Sequence, residues 1–309
     1  MKGIVVKSTG SWYAVIDAAG KYFNCRIKGK FRIKGIRSTN PVAVGDKVDF
    51  EVEDTKEQVG IINNIEPRKN YIIRKSINLS KQSHILAANV DQAFLIATMV
   101  LPRTSTGFID RFLVTAEAYD IPVVILFNKS DLIEGEIREM QQEMMAVYKE
   151  IGYECLEISA LKATDVEMVR ELLKDKINLI AGHSGVGKTT LINAIQPGLN
   201  LKTGDISAVH FKGKHTTTFA EMVPLAFGGF IIDTPGIKEL GIIDIKKEEL
   251  AHYFPEFNER MHNCKFKNCH HINEPKCAIK DAVEIGEISE SRYGSYLSIY
   301  NSEEMEEEY

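Results

Sequence analysis

Residues 1–67 contain five short segments in which hydrophobic and polar side chains alternate, the period that is typical of half-buried β-strands. The segments cover residues 4–6, 12–16, 22–27, 48–52 and 60–62. Turn-forming pairs separate several of them, including Thr9-Gly10, Ala19-Gly20 and Gly45-Asp46. Five short strands in so small a segment predict a β-barrel, and the OB-fold is the commonest small barrel with a binding role.

From residue 92 onwards, hydrophobic runs of strand length alternate with segments in which apolar residues recur every three or four positions. The runs at 92–100, 121–127, 154–158, 177–181 and 229–232 predict strands, and the segments 108–120, 135–151, 164–175 and 190–195 predict helices. Strands that alternate with helices indicate a parallel sheet covered on both faces. The chain then predicts helices from 249, at 278–286 and at 289–300, without further strands.

One glycine-rich segment fits the phosphate-binding pattern G-x-x-x-x-G-K-[ST]. It consists of Gly182, His183, Ser184, Gly185, Val186, Gly187, Lys188, Thr189 and Thr190. A predicted strand precedes it and a predicted helix follows it, which is the context that this loop requires. Its backbone N–H groups would surround phosphate oxygens at the helix N-terminus, Lys188 would reach the β- and γ-phosphates, and the Thr189 hydroxyl would ligate Mg²⁺.

Two further short motifs follow predicted strands and suit a guanine base. The first is Asn128, Lys129, Ser130 and Asp131, which matches N-K-x-D. The Asp131 carboxylate can accept from guanine N1–H and the exocyclic amine, a donor pair that adenine lacks. Asn128 can bond the outer edge of the base and tie neighbouring loops together, and the alkyl stem of Lys129 can cover the ring. The second motif is Ser159, Ala160 and Leu161, where a backbone N–H would meet guanine O6.

A third strand ends in D-T-P-G at residues 233–236, and a threonine-rich segment, K-G-K-H-T-T-T, lies upstream at 212–218. Asp233 is the expected carboxylate of the Mg²⁺ shell, and the Gly236 N–H is the expected sensor of the γ-phosphate. One threonine of 216–218 would contact Mg²⁺ and the γ-phosphate, with Thr217 and Thr218 the better candidates. The alternative is a β-favouring threonine run that enters the following strand.

The order of these motifs is unusual for a GTPase. The base-reading motifs at 128–131 and 159–161 precede the phosphate loop at 182–190 and the D-T-P-G element at 233–236, whereas most GTPases have the phosphate loop first. A circular permutation of the same sheet explains this order. The permutation places a switch segment directly before the C-terminal region. We therefore expect the C-terminal region to be anchored to that switch segment.

The C-terminal region carries a compact set of metal-ligand residues with the spacing C-x4-C-x-H-x5-C. The predicted ligands are Cys264, Cys269, His271 and Cys277, with His270 and His262 as alternative nitrogen donors. Four such donors suit a closed, tetrahedral structural Zn²⁺ site. The alternative is a small core of reduced cysteines, which a polar, lysine-rich loop makes unfavourable. Cys25 and Cys155 lie within apolar strands and are expected to pack there.

The charge of the chain is divided unevenly. Residues 1–90 hold 16 Lys and Arg against 8 Asp and Glu, a net of +8, so with −5 overall the remainder carries −13. Seven basic residues and no acidic one lie between Lys21 and Arg37, with Tyr22, Phe23 and Phe31 among them. This composition favours RNA binding, because basic groups follow a phosphate backbone and aromatic rings stack on bases. The alternative is that these rings fill the barrel.

No run approaches the roughly 20 apolar residues that a membrane span needs, and the first residues are too charged for a signal peptide. We therefore expect a soluble, cytoplasmic protein without membrane contact. The predicted domains are an RNA-binding OB-fold at 1–67, a linker at 68–88, a circularly permuted α/β GTPase domain at 89–245 and a helical zinc-binding domain with an acidic tail at 246–309.

With these residues in view, the chain resembles the bacterial ribosome small-subunit-dependent GTPase A (RsgA) family. The likeness covers nearly the whole length, from the barrel and N-V-D-Q at 89–92 to the zinc spacing. One departure is Arg74-Lys75, where relatives often have arginine-proline. The resemblance implies a GTPase with bound GTP or GDP, Mg²⁺ and one Zn²⁺ that binds the small ribosomal subunit and its rRNA, assists late maturation and is stimulated by the subunit. We expect a monomer.

Ile237 follows Gly236, at the position where many GTPases carry a water-orienting glutamine. Because isoleucine cannot hydrogen-bond water, we expect slow hydrolysis until a partner supplies the missing group or orders the loops. The expected catalytic set is Lys188, Thr217, Thr218 and Gly236, with His183 and His215 as candidate internal water orienters. Two other functions stay open: an RNA-binding adaptor with a structural nucleotide, and an ATP-using P-loop kinase.

Overall fold

The computed structural model describes residues 1–27, 41–75, 83–199, 221–233 and 245–302. The strands are β1 (Lys2–Ser8), β2 (Tyr13–Asp17), β3 (Tyr22–Ile27), β4 (Lys47–Asp54), β5 (Val59–Ile65), β6 (Tyr71–Lys75), β7 (Ser83–Ala88), β8 (Gln92–Ala97), β9 (Val123–Phe127), β10 (Glu154–Glu157), β11 (Ile177–Ala181), β12 (Glu221–Pro224) and β13 (Phe230–Asp233). The α-helices are α1 (Thr106–Ala118), α2 (Gly135–Ile151), α3 (Ala163–Leu173), α4 (Lys188–Ile195), α5 (Pro255–Asn258), α6 (Ala278–Glu284) and α7 (Glu290–Tyr300).

The chain forms two compact units. The first holds Met1–Gln92, Val166–Ile180 and Thr189–Ile237, and the second holds Ala93–Asp165, Ala181–Lys188 and Lys238–Tyr309. Among the described residues of both units, no helix is long and apolar enough to cross a membrane.

In the first unit, β1 to β5 close into a barrel. Neighbouring strands follow the order β1-β2-β3-β5-β4, and β4 pairs back with β1. Every pairing is antiparallel except that between β3 and β5. The inward positions of the alternating strands form one core: Val5, Tyr13, Val15, Phe23, Cys25, Val42, Val48, Phe50 and Ile62. The five-stranded barrel predicted from the alternation is therefore confirmed.

The aromatic residues of the barrel divide between core and surface. Phe23 is buried and its ring lies 5.1 Å from that of Phe50, so the suggestion that Phe23 stacks on bases is wrong, and it fills the barrel instead. Tyr22 is 44% exposed. Trp12, which was not among the rings expected to stack on bases, is 46% exposed. Phe31 and the basic residues from Lys28 to Arg37 lie outside the described residues.

The segment expected to be a linker has regular structure where it is described. Strands β6 and β7 pair as an antiparallel hairpin. Arg68 donates two hydrogen bonds of 2.6 Å to the buried carboxylate of Asp46, and Asn89 Nδ2 donates to the Gly45 carbonyl over 3.0 Å. These contacts fix both ends of the hairpin against the loop before β4. The sequence analysis did not predict these two strands, and the linker assignment for residues 68–88 stays a prediction.

The remainder of the first unit extends the sheet beyond the barrel. Strand β11 runs parallel to β13, and β12 lies antiparallel between β13 and β1. Lys7 faces Glu221 in this last pairing, with Nζ 3.1 Å from Oε2. Because β11 and β13 are parallel neighbours, their carboxyl ends lie at the same edge of the sheet.

In the second unit, β10, β9 and β8 are parallel neighbours in that order. All residues of β8 and β9 are buried, as expected for parallel strands covered on both faces. The carboxyl ends of β9 and β10 therefore lie side by side, which brings the loops after Phe127 and Glu157 together.

The C-terminal part of the second unit is helical, and its core contains Phe254, Phe257, Ile279 and Tyr296. The helix predicted from 249 is instead a 3₁₀ turn at Leu250–Tyr253 followed by α5. Pro255 explains the break, because proline lacks an N–H and disfavours helical backbone at the preceding residue. The acidic residues from 303 onwards lie outside the described part of the chain.

Candidate functional site

Asn128 joins three loops of the second unit. Its Nδ2 donates to the Val186 carbonyl over 2.8 Å, and its Oδ1 accepts from the Ala160 N–H over 3.0 Å. Its own N–H donates to the Ala97 carbonyl at the end of β8. The side chain is 3% exposed, so these bonds are shielded from water. The N-K-x-D loop, the Ser159–Ala160 loop and the phosphate-loop segment therefore lie together.

The glycines of the phosphate-loop segment are required by its backbone. Gly182, Gly185 and Gly187 have φ of +140°, +83° and +96°, a region that favours glycine. A Cβ on Gly187 would lie 2.4 Å from Asn128 Nδ2, and a Cβ on Gly182 would lie 2.5 Å from the Ile96 carbonyl oxygen. The loop approaches its neighbours so closely that no side chain fits at these two positions.

Lys188 ends this loop and begins α4. Its Nζ donates to the Gly182 carbonyl over 2.6 Å and also to the His183 carbonyl. The ammonium group thus lies over the loop, on the side to which the Gly182 and His183 carbonyls point. Ser184 and Gly185 are exposed, Val186 is fully buried, and Thr189 and Thr190 are exposed in the first turn of α4.

The loop after β9 has a defined shape. Lys129 adopts a left-handed backbone with φ 66°, and its Nζ donates to the Leu101 carbonyl. Ser130 is buried, whereas Asp131 is exposed. The Ser130 N–H donates to the Ile158 carbonyl over 3.1 Å, which ties this loop to the one after β10. An exposed carboxylate at Asp131 is available to a ligand.

The loop after β10 is fixed by short polar contacts. The Ser159 N–H donates to Asp165 Oδ2 over 2.8 Å, and the Leu161 N–H donates to Ser159 Oγ over 3.3 Å. Ser159 and Ala160 are buried, while Leu161 is 77% exposed. The backbone N–H groups of Ser159, Ala160 and Leu161 are therefore all engaged within the protein, and the bond from Leu161 is the longest of the three.

Sequence reasoning missed two contacts of the phosphate-loop segment. The centroids of the Phe108 and His183 rings lie 3.6 Å apart, and a Cβ on Gly185 would lie 3.2 Å from Pro102 Cδ. Burial lowers the pKa of His183, and the charge of Lys188 lowers it further. His183 is therefore more readily neutral than a free histidine. Phe108 was predicted only as one apolar position of a helix, and nothing in its spacing signals a stack on His183.

The predicted magnesium ligands belong to the first unit. Thr189 lies in the first turn of α4, and Asp233 is the last residue of β13. The parallel pairing of β11 and β13 puts Asp233 at the sheet edge from which β11 enters the phosphate loop. Thr217, Thr218, His215 and Gly236 lie outside the described residues, so their assignments stay predictions.

The four predicted metal ligands of the C-terminal part converge. One ligand atom from each of Cys264, Cys269, His271 and Cys277 lies within 4.8 Å of all the others. His271 directs Nδ1 to the sulfurs, at 3.6 Å from Cys264 Sγ and 3.4 Å from Cys277 Sγ. The alternative His270 instead places its Nδ1 3.3 Å from the Tyr300 hydroxyl.

These distances suit a tetrahedral ion. With Zn–S of about 2.3 Å and Zn–N of about 2.0 Å, sulfur and nitrogen ligands lie about 3.5 Å apart. The backbone around the cluster is also held in place: Tyr293 and Tyr296 donate to the carbonyls of His271 and His270 over 2.7 and 2.8 Å. A set of three cysteines and one histidine can hold a metal ion, and its softness favours zinc.

The chain matches two families of known proteins. The RsgA GTPase family matches residues 65–243, and the RsgA N-terminal domain family matches residues 2–62. A relative from Christiangramia forsetii is 57% identical over 305 residues, covering 98% of this chain and 97% of the relative. A relative from Bacteroides fragilis is 56% identical over 304 residues, with the same coverage. Both are named Small ribosomal subunit biogenesis GTPase RsgA.

Solved structures agree with this assignment. YjeQ from Thermotoga maritima is 38% identical, with a TM-score of 0.78 over 97% of this chain and 96% of that one. YloQ, described as a circularly permuted GTPase, is 35% identical, with a TM-score of 0.76 over 97% of this chain and 93% of that one. The permuted motif order predicted from the sequence is therefore confirmed, and the chain belongs to the RsgA GTPase family.

Proposed function

We propose that this protein hydrolyses GTP to GDP and phosphate while it assists the maturation of the small ribosomal subunit. The observation that carries the proposal is the Asn128 junction, which unites the N-K-x-D loop with the phosphate loop in a chain 57% identical to a Small ribosomal subunit biogenesis GTPase RsgA. The junction supports one pocket for base and phosphates, and the relative's name supplies the partner.

The base would be read by the loops after β9 and β10. Asp131 accepts from guanine N1–H and the exocyclic amine, and the exposed position of its carboxylate suits that role. Lys129 covers the ring with its alkyl stem, and Asn128 reaches the outer edge of the base. Ser130, Ser159, Ala160 and Leu161 shape the pocket, with a backbone N–H directed to O6.

The phosphates would lie against the backbone N–H groups of residues 182–190, at the N-terminus of α4. Lys188 would turn from the loop carbonyls to the β- and γ-phosphates. Thr189 and Asp233 would hold Mg²⁺, which supplies charge neutralisation at the phosphates. Thr217 or Thr218, together with the Gly236 N–H, would contact the γ-phosphate. These three residues are assigned from the sequence alone.

Hydrolysis by the free protein should be slow, because Ile237 occupies the position of a water-orienting glutamine. His183 is held against Phe108, which favours a structural role for its ring over water orientation. His215 stays a candidate from sequence. We attribute the missing acceleration to the small subunit, since groups supplied by a partner are worth roughly 10³–10⁵ in rate.

Two measurements test this function. Turnover of GTP is compared for the free protein and with purified small subunits, and stimulation of at least about tenfold is expected from a partner-supplied group. Co-sedimentation with small subunits is compared in GDP and in a non-hydrolysable GTP analogue, with more protein bound in the analogue. Fast, unstimulated hydrolysis would contradict the dependence on the subunit.

The P-loop kinase alternative is separated by nucleotide preference. Asp131→Asn should shift the preference from GTP towards xanthosine triphosphate, because the new amide donates where the carboxylate accepted. Equal competition by ATP and GTP would favour the kinase. An adaptor with a structural nucleotide predicts no turnover even with subunits, and the retained Thr189 and Asp233 argue against it.

The barrel and the C-terminal region have roles outside the nucleotide site. The barrel, residues 1–67, binds rRNA through its basic segment, and residues 246–309 hold one structural zinc through Cys264, Cys269, His271 and Cys277. The permuted GTPase domain spans 89–245, and residues 68–88 join it to the barrel. The protein acts as a cytoplasmic monomer. The exposed rings of Tyr22 and Trp12 support nucleic-acid contact at the barrel.

A further inference from the structure

Helix α2 carries an apolar row that its own fold leaves partly uncovered. The row, called here the α2 seam, has the spacing of heptad positions a and d and consists of Ile137, Met140, Met144, Val147 and Ile151. Ile137 and Met140 are 39% and 38% exposed, and the other three are half-buried. The helix is anchored instead through Gln141, Met145 and Tyr148, which are buried. The seam is thus available to a second helix.

An acidic row runs directly beside the seam. Glu136, Glu143 and Glu150 recur every seven residues and are all exposed. In the same register they occupy position g, where charged residues of a coiled coil select the partner helix. A partner that carries lysine or arginine opposite these positions gains three favourable contacts, whereas an acidic partner meets three repulsive ones.

The C-terminal end of the seam opens into a small acidic pocket. Its volume is about 170 Å³, and its lining includes Val147 and Ile151 from the seam together with Ile288. Four carboxylates and one arginine line it: Glu150, Glu256, Glu259, Glu287 and Arg260. Arg260 is already paired with Glu259 and Glu287, at 3.4 and 3.6 Å. Glu256 is likewise paired, with Arg292. The pocket therefore continues the apolar floor, and its excess negative charge comes from Glu150 together with the two carboxylates that share Arg260.

We propose that the α2 seam docks a basic amphipathic helix of a partner protein, with lysine or arginine residues facing the acidic row. Charge decides among the possible occupants. A second copy of α2 packed antiparallel would bring Glu143 against its own counterpart, and the glutamate-rich residues 303–308 of this chain carry the same sign. RNA is disfavoured by the same repulsion. The inference does not depend on nucleotide binding or on the ribosomal partner.

A synthetic peptide tests the proposal. The probe is a labelled three-heptad helix with leucine at a and d and lysine at e and g, and its match carries glutamate at e and g. Lysines also keep the probe from pairing with itself. By fluorescence anisotropy we expect the lysine peptide to bind the full chain at least about tenfold more tightly than the glutamate peptide.

Charge reversal provides the decisive comparison. In the triple variant Glu136→Lys, Glu143→Lys and Glu150→Lys, the preference should reverse in favour of the glutamate peptide. A control with the same net charge, Glu57→Lys, Glu167→Lys and Glu171→Lys, changes exposed residues elsewhere and should keep the original preference. If both triple variants lose the lysine peptide equally, or if the wild type does not bind it, the proposal is overturned.

Position is tested with two equally exposed methionines. Met140 on α2 is 38% exposed and Met168 on α3 is 39% exposed. Met140→Asp should abolish peptide binding while Met168→Asp leaves it intact, and the Met140 methyl NMR signal should shift on titration while that of Met168 stays. The opposite result, or a Met140 shift produced by single-stranded RNA, overturns the assignment. GTP turnover should be unchanged in the acidic-row variant, so failure of the proposed function would leave this binding readout intact.

Discussion

Asn128 donates a hydrogen bond to the carbonyl oxygen of Val186 over 2.8 Å, across 58 positions of the chain. The same side chain accepts from the Ala160 N–H, so one amide satisfies an acceptor of the phosphate loop and a donor of the loop after β10. The Asn128 side chain therefore holds the two loops together, in addition to any contact that it makes with a base. Gly187 makes the approach possible by having no Cβ.

Asn128→Ala should lower the affinity for both GTP and GDP by at least about tenfold, which is the effect of roughly 1.4 kcal/mol. Removal of the amide leaves the buried Val186 carbonyl and the Ala160 N–H without their partner, at a cost of about 1–3 kcal/mol each. Equilibrium titration with fluorescent GDP and GTP analogues measures the loss, and thermal unfolding should show a lower Tm.

Asn64→Ala is the matched control, because Asn64 also donates from Nδ2, to Asp49 over 2.9 Å, but on the exposed surface of the barrel. It should leave nucleotide affinity unchanged. Gly187→Ala should resemble Asn128→Ala, since the new methyl group collides with the Asn128 amide and φ of +96° strains alanine. Wild-type affinity in Asn128→Ala would show that the junction is dispensable.

The elements with strong local signals were predictable from sequence. Strands β3 and β11 and helix α2 begin and end at the predicted residues, because alternation, a buried apolar run and helical spacing are each unambiguous there. The phosphate loop was predictable because its backbone needs positive φ at fixed positions, and glycines at those positions are therefore a specific signal. The hairpin of β6 and β7 was not, since the basic residues of this segment, among them Arg74 and Lys75, suggested a linker.

Contacts between distant residues could not be predicted from periodicity. Arg292 lies in the middle of α7 and was expected only as part of a helix, yet it is buried and donates to Asp110 over 2.7 Å, 182 positions away. A charged residue in a helical pattern is usually solvated. Its partners, Asp110 of α1 and Glu256 of α5, are supplied by tertiary packing, and the sequence pattern carries no information on those pairings.

Arg292→Ala should destabilise the protein by about 3–5 kcal/mol, because it leaves two buried carboxylates without their cation. The guanidinium donates to both oxygens of Glu256, at 2.7 and 3.1 Å, as well as to Asp110. Arg292→Lys should recover only part of this loss, since an ammonium group cannot make the same fork. Urea unfolding followed by circular dichroism measures both changes.

Arg260→Ala controls for the loss of an arginine as such. Arg260 pairs with Glu259 and Glu287 at a more exposed site, and such pairs are worth about 0–1 kcal/mol. A loss in Arg260→Ala as large as that in Arg292→Ala would contradict the importance of burial for the α1–α7 network.

The cysteine–histidine cluster should hold about one zinc per chain, the stoichiometry of a closed four-ligand site. Cys277→Ser should lose that metal, because its serine oxygen is a poor replacement for thiolate, and the helical C-terminal core should become less stable. Zinc is measured by elemental analysis, and the stability by thermal unfolding before and after chelation. Cys155→Ser, at a buried cysteine of β10 outside the cluster, should retain the full metal content. Metal retained by Cys277→Ser would remove Cys277 from the ligand set.

Stability should fall as pH rises from 9.0 towards 11, through two cysteines that lie outside the metal cluster. Burial raises the pKa of Cys25 from 9.0 to about 11, and burial likewise raises the pKa of Cys155 to about 11. Above pH 9.0 the unfolded chain loses these thiol protons while the native chain keeps them, so the unfolded state binds fewer protons and the free energy of unfolding decreases with pH. Both contributions are fully present below pH 9.0 and lost as pH passes through 11.

The double variant Cys25→Ala and Cys155→Ala isolates this effect, because alanine removes the titrating groups and leaves the tyrosines and the metal ligands in place. Its free energy of unfolding in urea should be lower than that of the wild type at neutral pH, owing to the cavities, but should decline less steeply between pH 9.0 and 10. In the same range, native Cys25 and Cys155 should resist alkylation by iodoacetamide and react once the chain is unfolded, since the thiolate is the reactive form. Parallel pH profiles for the wild type and the double variant would exclude these two thiols as the cause, and the alkaline loss would then belong to the buried tyrosines, whose pKa values are also raised by burial.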